Sequence, residues 1–251
     1  MNNEQRASNK YQVAAIVLAA GSSSRMSGLK KEYQKLENSN LTVLGSAVSA
    51  FAAFAKVIVI AVPENGEAAA RQALPQELFN AGNPEILFVN GGNTRRASVF
   101  NALSALVSFN PCYVLIHDGA RPRVSISLIE NIIAAVEKYD AVIPALPMTD
   151  TPKLIERREK GRGKREENKE QVIKFVKNHM KRENIYFAQT PQAFRFPEIL
   201  RAHEKAAEVN DEEFTDDAEI WGKFIGSVAV VPGEPENRKI TFPEDLKSNI
   251  K

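Results

Sequence analysis

The sequence predicts a three-layer α/β fold in which helices cover both faces of a mostly parallel sheet. Short apolar runs rich in β-branched residues alternate with longer segments whose apolar residues recur every three or four positions. Up to residue 147 this gives five strands with a helix after each of the first four, the order expected of parallel strands joined by crossover helices. With 251 residues, 43% of them hydrophobic, we expect a single domain over 1–251.

The predicted elements before residue 148 follow one another closely along the chain. We expect buried strands at 13–20, 56–63 and 85–90, a fourth strand in "YVLIHDGARP" and a fifth in "AVIPALP". Helices are expected at 44–54, 64–79, 98–108 and 125–138. Pro75 interrupts the second helix, and Ser125 is a candidate N-cap of the last.

Beyond residue 147 the pattern changes to charge runs. Residues 153–182 hold twelve Lys or Arg against five Asp or Glu, which is typical of a solvated projecting arm but also allows anion or RNA binding. We expect a β-arm at about 149–189, with "QVIKFV" and "IYFAQT" as candidate paired strands. Helices are expected at 197–208 and 215–221, a sixth strand at 227–233, and a final helix starting at "FPEDL".

Three polar loops follow predicted strands, after Ala20, Asn90 and Ile116. Ligands of parallel sheets gather at the carboxyl ends of the strands, so we expect these loops to form one site. The first loop, "AAGSSSRM", suits a polyphosphate, because small residues expose backbone N–H groups and serines add donors. Arg25 and Lys31 would supply cations. The alternative is a surface turn, and the loop matches neither a dinucleotide-binding glycine motif nor a P-loop.

The other two loops carry further candidates. In "GGNTRRAS" the paired glycines allow close backbone approach, although the stretch also fits a plain strand-to-helix turn capped by Thr94 or Ser98. In "HDGARP", Asp118 suits Mg²⁺ beside phosphates. We expect His117 to be packed or hydrogen-bonded rather than a general base. The carboxylates of "TDDA" are expected to cap a helix.

Composition excludes several classes of protein. We find no apolar run of 18 residues and no apolar signal core, so we expect neither a membrane span nor export. A single cysteine, Cys112, cannot form an intrachain disulfide, which favours a cytoplasmic protein. The net charge of +2 does not indicate a nucleic-acid partner, and the basic arm lacks interleaved aromatic residues.

Seven motifs together resemble one enzyme family. "LAAGSSSRM" with Lys31, "GGNTRRASV", "HDGARP", "DTPK", "QTPQAF", "TDDA" and "NRKITFPEDL" occur in the order found in 2-C-methyl-D-erythritol 4-phosphate cytidylyltransferases of the non-mevalonate isoprenoid pathway. The resemblance spans about 13–246. Ribitol-phosphate cytidylyltransferases share most of these motifs, but "AAG" and "HDGARP" favour the erythritol enzymes.

The resemblance implies a Rossmann-like, GT-A-like nucleotidyltransferase fold and a Mg²⁺-dependent reaction with CTP that releases pyrophosphate. It implies that Arg25 and Lys31 stabilise the transition state. It places Ala19, Ala20, Gly21, Gly92, Asn93, Ser98 and Asp118 on the CTP side, with Asp118 also near the metal. Arg121, Thr151 and Thr190 match contacts to the sugar phosphate, and Lys239 and Arg182 match the residues that hold it for attack. Arg182 would come from a second subunit, which implies a homodimer through the arm.

Two departures from the family pattern leave alternatives open. "KKEY" stands where the family usually has Pro-Lys-Gln before the tyrosine, so Lys30 is an alternative to Lys31. The arm is longer and more basic than usual, and the register that selects Arg182 depends on counting back from Ile185. Besides the ribitol enzyme, a nucleotide-binding module without turnover is a rival hypothesis, which the presence of Arg25, Lys31, Asp118 and Lys239 disfavours.

Overall fold

A computed structural model describes residues 12–23, 30–157, 174–209 and 213–247. Contacts divide the chain into two compact units. One comprises Met1–Ala145 with Ala188–Lys251, and the other comprises Leu146–Phe187. The first unit carries the main sheet and its helices, and the second carries a two-stranded hairpin.

Ten strands lie within the described residues. They are β1 (Val13–Leu18), β2 (Val57–Val62), β3 (Glu85–Asn90), β4 (Tyr113–Asp118), β5 (Ala141–Pro147), β6 (Lys153–Arg157), β7 (Lys174–His179), β8 (Tyr186–Ala188), β9 (Gln192–Arg195) and β10 (Ala229–Pro232). The main sheet runs in the order β10-β5-β9-β4-β1-β2-β3. Its pairs β3–β2, β2–β1, β1–β4 and β5–β10 are parallel, so the predicted mostly parallel sheet is confirmed.

Strand β9 was missing from the sequence prediction. It lies between β4 and β5 and runs antiparallel to both. It has only four residues and begins with the buried polar residue Gln192, so it shows neither a long apolar run nor clean alternation. Its place in the sheet depends on pairing with strands that lie far from it in the sequence.

Six α-helices lie within the described residues. They are α1 (Val43–Ser49), α2 (Glu67–Ala73), α3 (Arg95–Ala105), α4 (Ile126–Tyr139), α5 (Phe196–Glu208) and α6 (Asp217–Phe224). Short 3₁₀ turns follow at Lys31–Tyr33, Gln76–Phe79, Arg182–Asn184 and Pro243–Leu246. None of the described helices has the length and apolar character needed to cross a membrane.

Both faces of the sheet are buried. Along β1, Ala15 and Val17 join the core beneath α1 and α4, whereas Ala14 and Ile16 join the core beneath α3, α5 and α6. A strand covered on both sides needs apolar residues at every position, which explains the continuous apolar run of β1. The three-layer α/β prediction is therefore confirmed.

Some helices begin or end at other residues than the sequence predicts. Ser125 accepts a hydrogen bond from the Leu128 amide and caps α4, as predicted. Thr94 accepts from the Ala97 amide, so α3 begins at Arg95 rather than at residue 98. Helix α1 ends at Ser49, and turns cover the rest of the predicted 44–54 segment. "FPEDL" forms a 3₁₀ turn with Pro243 in its first turn.

The second unit corrects the predicted pairing of the arm. Strand β7 pairs antiparallel with β6, with Glu156 opposite Phe175 and Lys153 opposite His179. The described part of "QVIKFV", its last three residues, lies in β7, and its partner is "KLIER" rather than "IYFAQT". Residues 158–173, which include six of the twelve Lys or Arg residues of the basic run, lie outside the described residues. All three segments have a similar alternation of apolar and polar residues, so the sequence does not indicate which two of them pair.

Candidate active site

A cleft of about 390 Å³ opens at the carboxyl ends of the parallel strands, a size suited to a small-molecule ligand. All three polar loops line it, as the sequence predicts. Its walls include the predicted site residues Ala20, Gly21, Lys31, Gly92, Asn93, Ser98, Asp118 and Lys239. Ala19 is fully buried and donates to the Ala61 carbonyl, so it extends the sheet beneath the cleft.

The second loop packs directly on the first. A Cβ atom on Gly91 would lie 2.3 Å from the Ala20 Cβ, and one on Gly92 would lie 2.4 Å from the Ala97 Cβ. Only glycine fits these two positions. Ser98 accepts from the Gly92 amide at 3.1 Å and donates to the Thr94 carbonyl at 2.9 Å, so it fixes the turn from within. Asn93 is exposed at the cleft.

The described part of the first loop is held against the following 3₁₀ turn. Ser23 has a positive φ of 50° and donates from its hydroxyl to Glu32 Oε2 at 3.1 Å. Lys30 Nζ donates to the Gly21 carbonyl, whereas Lys31 is one of the residues that line the cleft. Burial lowers the pKa of Lys30. Arg25 lies outside the described residues.

Asp118, at the end of β4, is surrounded by cations. Lys239 Nζ lies 2.8 Å and Arg121 Nε 3.6 Å from its Oδ2, and Arg95 Nε lies 3.8 Å from its Oδ1. Burial favours the neutral acid, but these three cations outweigh it and hold the pKa of Asp118 well below its usual range. Asp118 is therefore a fixed anion in a cationic pocket.

A hydrogen-bond chain behind Asp118 includes His117 and Thr190. The Thr190 hydroxyl accepts from the Asp118 amide at 3.1 Å and lies 3.0 Å from His117 Nδ1. His117 Nε2 lies 3.0 Å from the Arg121 carbonyl, which can only accept, so the ring proton is on Nε2. Burial lowers the pKa of His117 to about 4. His117 is packed and hydrogen-bonded, as the sequence predicts, and it orients the loop as a neutral ring.

Arg121 is tied to the C-terminal part of the first unit. Its Nη1 donates to the Asn237 carbonyl at 2.7 Å, and Asn237 Nδ2 donates to the Thr190 carbonyl at 2.8 Å. Asn237 is fully buried. These contacts hold the segment that carries Lys239 beside β4, although Arg121 and Thr190 themselves lie behind the cleft wall.

The two carboxylates of "TDDA" have different roles. Asp216 caps α6, since its Oδ1 accepts from the Glu219 amide at 2.9 Å, as predicted. Asp217 is fully buried instead and pairs with Arg95 at 2.8 Å and with His203 at 3.1 Å. Sequence reasoning missed Arg95 and His203. The available signal was the second carboxylate, because one helix end needs only one cap.

The donor set around Asp118 suits a magnesium ion bound together with substrate phosphates. Within the described ranges there is no cluster of three or more His, Cys, Asp or Glu that could enclose a metal. Mg²⁺ commonly takes one or two carboxylates and completes its shell with water and phosphate oxygens. Asp118 Oδ1, with Arg95 no nearer than 3.8 Å, is the oxygen that fits this mode.

Thr151 and Arg182 lie in the second unit. Thr151 is exposed, and Arg182 begins a 3₁₀ turn and donates to the Thr149 carbonyl. Among the described residues of this unit, seven large apolar side chains are exposed: Leu154, Ile155, Phe175, Val176, Met180, Tyr186 and Phe187.

A model of the family "2-C-methyl-D-erythritol 4-phosphate cytidylyltransferase" matches residues 13–249. The chain belongs to this family. A curated relative from Bartonella henselae, the "Bifunctional enzyme IspD/IspF", is 37% identical over 242 residues, which cover 94% of this chain and 55% of the relative. A relative of the same name from Rhodobacter capsulatus is 37% identical over 235 residues. The chain spans about half the length of the curated relatives it matches.

Solved structures of this cytidylyltransferase family are also similar to the chain. The 4-diphosphocytidyl-2C-methyl-D-erythritol synthase of Anaerococcus prevotii is 29% identical with a TM-score of 0.72, and the match covers 93% of this chain and 94% of that one. The Thermus thermophilus 2-C-methyl-D-erythritol 4-phosphate cytidylyltransferase is 28% identical with a TM-score of 0.68, covering 92% and 94%. The bifunctional IspDF of Campylobacter jejuni is 30% identical with a TM-score of 0.67, covering 94% and 53%.

Proposed function

We propose that this chain transfers CMP from CTP to 2-C-methyl-D-erythritol 4-phosphate, giving 4-diphosphocytidyl-2-C-methyl-D-erythritol and pyrophosphate. The observation that carries the proposal is the meeting of three strand-end loops around Asp118 and its cations, in a chain of the cytidylyltransferase family. Two polyanions must meet in this reaction, so fixed cations and oriented backbone donors are what the site has to supply.

The chemistry is a direct in-line displacement. A phosphate oxygen of the sugar alcohol attacks the α-phosphorus of CTP, a new P–O bond forms, and the α–β bridging bond breaks with release of pyrophosphate. The attacking phosphate is already an anion and needs no general base. A buried neutral His117 is consistent with this requirement.

We assign the CTP side to the first two loops. Cytosine and ribose lie against Ala20, Gly92, Asn93 and Ser98, in part through backbone groups, with Ala19 supporting the floor beneath them. The triphosphate follows Gly21. Lys31 and Arg25 neutralise charge at the α-phosphate and on the leaving pyrophosphate. The position of Lys31 in the cleft wall, with Lys30 engaged on Gly21, supports Lys31 as the catalytic lysine.

We assign the sugar phosphate to the opposite side of the cleft. Lys239 binds the attacking phosphate and Asp118 orients the substrate, while Arg121 and Thr190 hold the Asp118 loop from behind the cleft wall. We also propose Thr151 as a contact to the sugar phosphate, because it matches such a contact in the family. Asp118 would also be the residue that holds Mg²⁺. The chemistry that the ion would supply there is neutralisation of triphosphate charge.

We further propose that residues 1–251 act as one catalytic domain in a cytoplasmic homodimer, with the arm as the dimer contact. Half-exposed Leu154, Ile155, Phe175 and Val176 on one short hairpin support this assembly, because a cluster of large apolar side chains usually marks an interface. A second copy of the chain would cover them and supply Arg182 to the neighbouring site.

One assay tests the activity. The protein is incubated with CTP, MgCl₂ and either methylerythritol phosphate or ribitol 5-phosphate, and pyrophosphate release is measured. We expect release with methylerythritol phosphate. Equal or faster release with ribitol phosphate would overturn the substrate assignment. No release with either would favour a nucleotide-binding module without turnover.

A further inference from the structure

A buried chain of ion pairs runs from the cleft into the helical layer behind it. Arg95 Nη2 lies 2.8 Å from Asp217 Oδ2, and Arg95 Nε lies 3.8 Å from Asp118 Oδ1. At the inner end, His203 Nε2 lies 3.1 Å from Asp217 Oδ1. The chain thus connects Asp118 in the cleft with His203 on α5.

The carboxylate of Asp217 is held from several directions. Burial would raise its pKa, but Arg95 and His203 outweigh that effect and lower it, so the group is ionised. An ionised carboxylate only accepts hydrogen bonds, and His203 Nε2 is therefore the donor. The Asp217 amide donates in turn to Gln192 Oε1 at 3.2 Å. Asp217 and His203 are both fully buried, which leaves them little freedom to move.

Stability alone is a poor reason for this arrangement. Removing two charges from water costs about as much as their attraction returns, and well-packed apolar residues often replace a buried ion pair without loss. Arg95 is also the first residue of α3, at the positive end of the helix dipole, where a cation is disfavoured. The ion pair with Asp217 instead fixes the position of the Arg95 side chain, which is 28% exposed at the cleft.

We infer that Asp217 and His203 are positioning residues for the reaction: through Arg95 they set the orientation of the Asp118 carboxylate toward the sugar-alcohol phosphate. The inference rests on the proposed function. Without the charge on Asp217, Arg95 is drawn fully to Asp118 or to the substrate phosphates. Either movement shifts Asp118 relative to Lys239 and misplaces the reacting phosphate.

The decisive variant is Asp217→Asn, with Asp216→Asn as its matched control. Both remove one negative charge from the start of α6, and Asn caps a helix about as well as Asp. We expect Asp217→Asn to lower kcat roughly 10- to 100-fold, as loss of an orienting partner commonly does. Because the CTP side is intact, KM for CTP should stay within about threefold. Asp216→Asn should keep kcat within about twofold.

Variants at His203 separate positioning from packing. Gln at this position keeps an N–H donor for Asp217, whereas Leu keeps a similar volume without one. We expect His203→Gln to restore most of the kcat that His203→Leu loses. Rates are compared per folded protein, at a temperature at which thermal unfolding shows every variant to be folded.

Two kinetic results would overturn the inference: wild-type kcat in folded Asp217→Asn, or an equal loss in Asp216→Asn. A wild-type chain that is inactive with every sugar-alcohol phosphate would overturn the proposed function instead. Crystal structures then decide the positioning role separately. An Arg95 guanidinium that has left residue 217 and moved toward Asp118 or into the cleft in Asp217→Asn supports it, and an unmoved guanidinium rejects it.

Discussion

Lys239 Nζ lies 2.8 Å from Asp118 Oδ2 and joins the segment after β10 to the carboxyl end of β4. The Lys239 side chain is 41% exposed, whereas the Asp118 side chain is 12% exposed. Lys239 therefore both fixes the carboxylate and presents a cation to the cleft. The contact suggests that the two residues act together on the same substrate phosphate.

Replacing Lys239 should impair turnover without unfolding the protein. We expect Lys239→Ala to lower kcat/KM for the sugar-alcohol phosphate on the order of 100-fold or more, the usual cost of removing one oriented donor from an anionic transition state. Lys247→Ala, which removes an exposed lysine of the same C-terminal segment, is the control and should leave the rate unchanged. Steady-state pyrophosphate release measures both, and similar losses would contradict a specific role for Lys239.

The two adjacent lysines should behave differently. We expect Lys31→Ala to remove most of kcat, because Lys31 lines the cleft and Lys30 is not among its lining residues. Lys30→Ala should mainly loosen the first loop, since Lys30 is bound to the Gly21 carbonyl, and its effect should appear more in KM for CTP. Full kinetics of both variants decide between them. The reverse pattern would transfer the catalytic assignment to Lys30.

A composite site at a dimer contact can be tested by subunit mixing. Arg25→Ala and Arg182→Ala should each be inactive alone. Mixed under conditions of subunit exchange, they should regain part of the wild-type activity, because each heterodimer holds one site with neither substitution. Native mass spectrometry of differently tagged subunits verifies exchange. Exchange without recovered activity would count against transfer of Arg182 across the interface.

The close packing of the first two loops should be sensitive to one added methyl group. Gly91→Ala places a Cβ 2.3 Å from that of Ala20, so the two loops must separate. We expect a stability loss of about 1–3 kcal/mol, as for overpacking elsewhere, together with weaker CTP binding. Gly222→Ala is the control, because nothing lies within 4 Å of its added Cβ and it sits in α6. Chemical denaturation and calorimetric titration with CTP measure both effects, and unaltered CTP binding by Gly91→Ala would contradict the loop contact.

Much of the main sheet was predictable because its determinants are local. Strand β3 and strand β5 were predicted with their observed ends, since an apolar run bounded by polar or turn residues marks a buried strand. The meeting of the three polar loops at one cleft was predictable from the topology rule for parallel sheets. The predicted pairing of the hairpin was wrong for the opposite reason. Several segments have a similar alternation of apolar and polar residues, and only tertiary contacts select the partner.

The sequence by itself determined the α/β class, the cluster of strand-end loops and the family, because hydrophobic periodicity and motifs depend on residues that are close together in the sequence. Only the tertiary structure decided that β9 enters the sheet antiparallel, that Lys31 rather than Lys30 lines the cleft, and that Asp217 is buried. In the sequence, Arg95, His203 and Asp217 look like ordinary polar residues of helix ends and surfaces. Their role depends on the fold bringing opposite charges together where water is excluded, which raises the cost of leaving any of them unpaired.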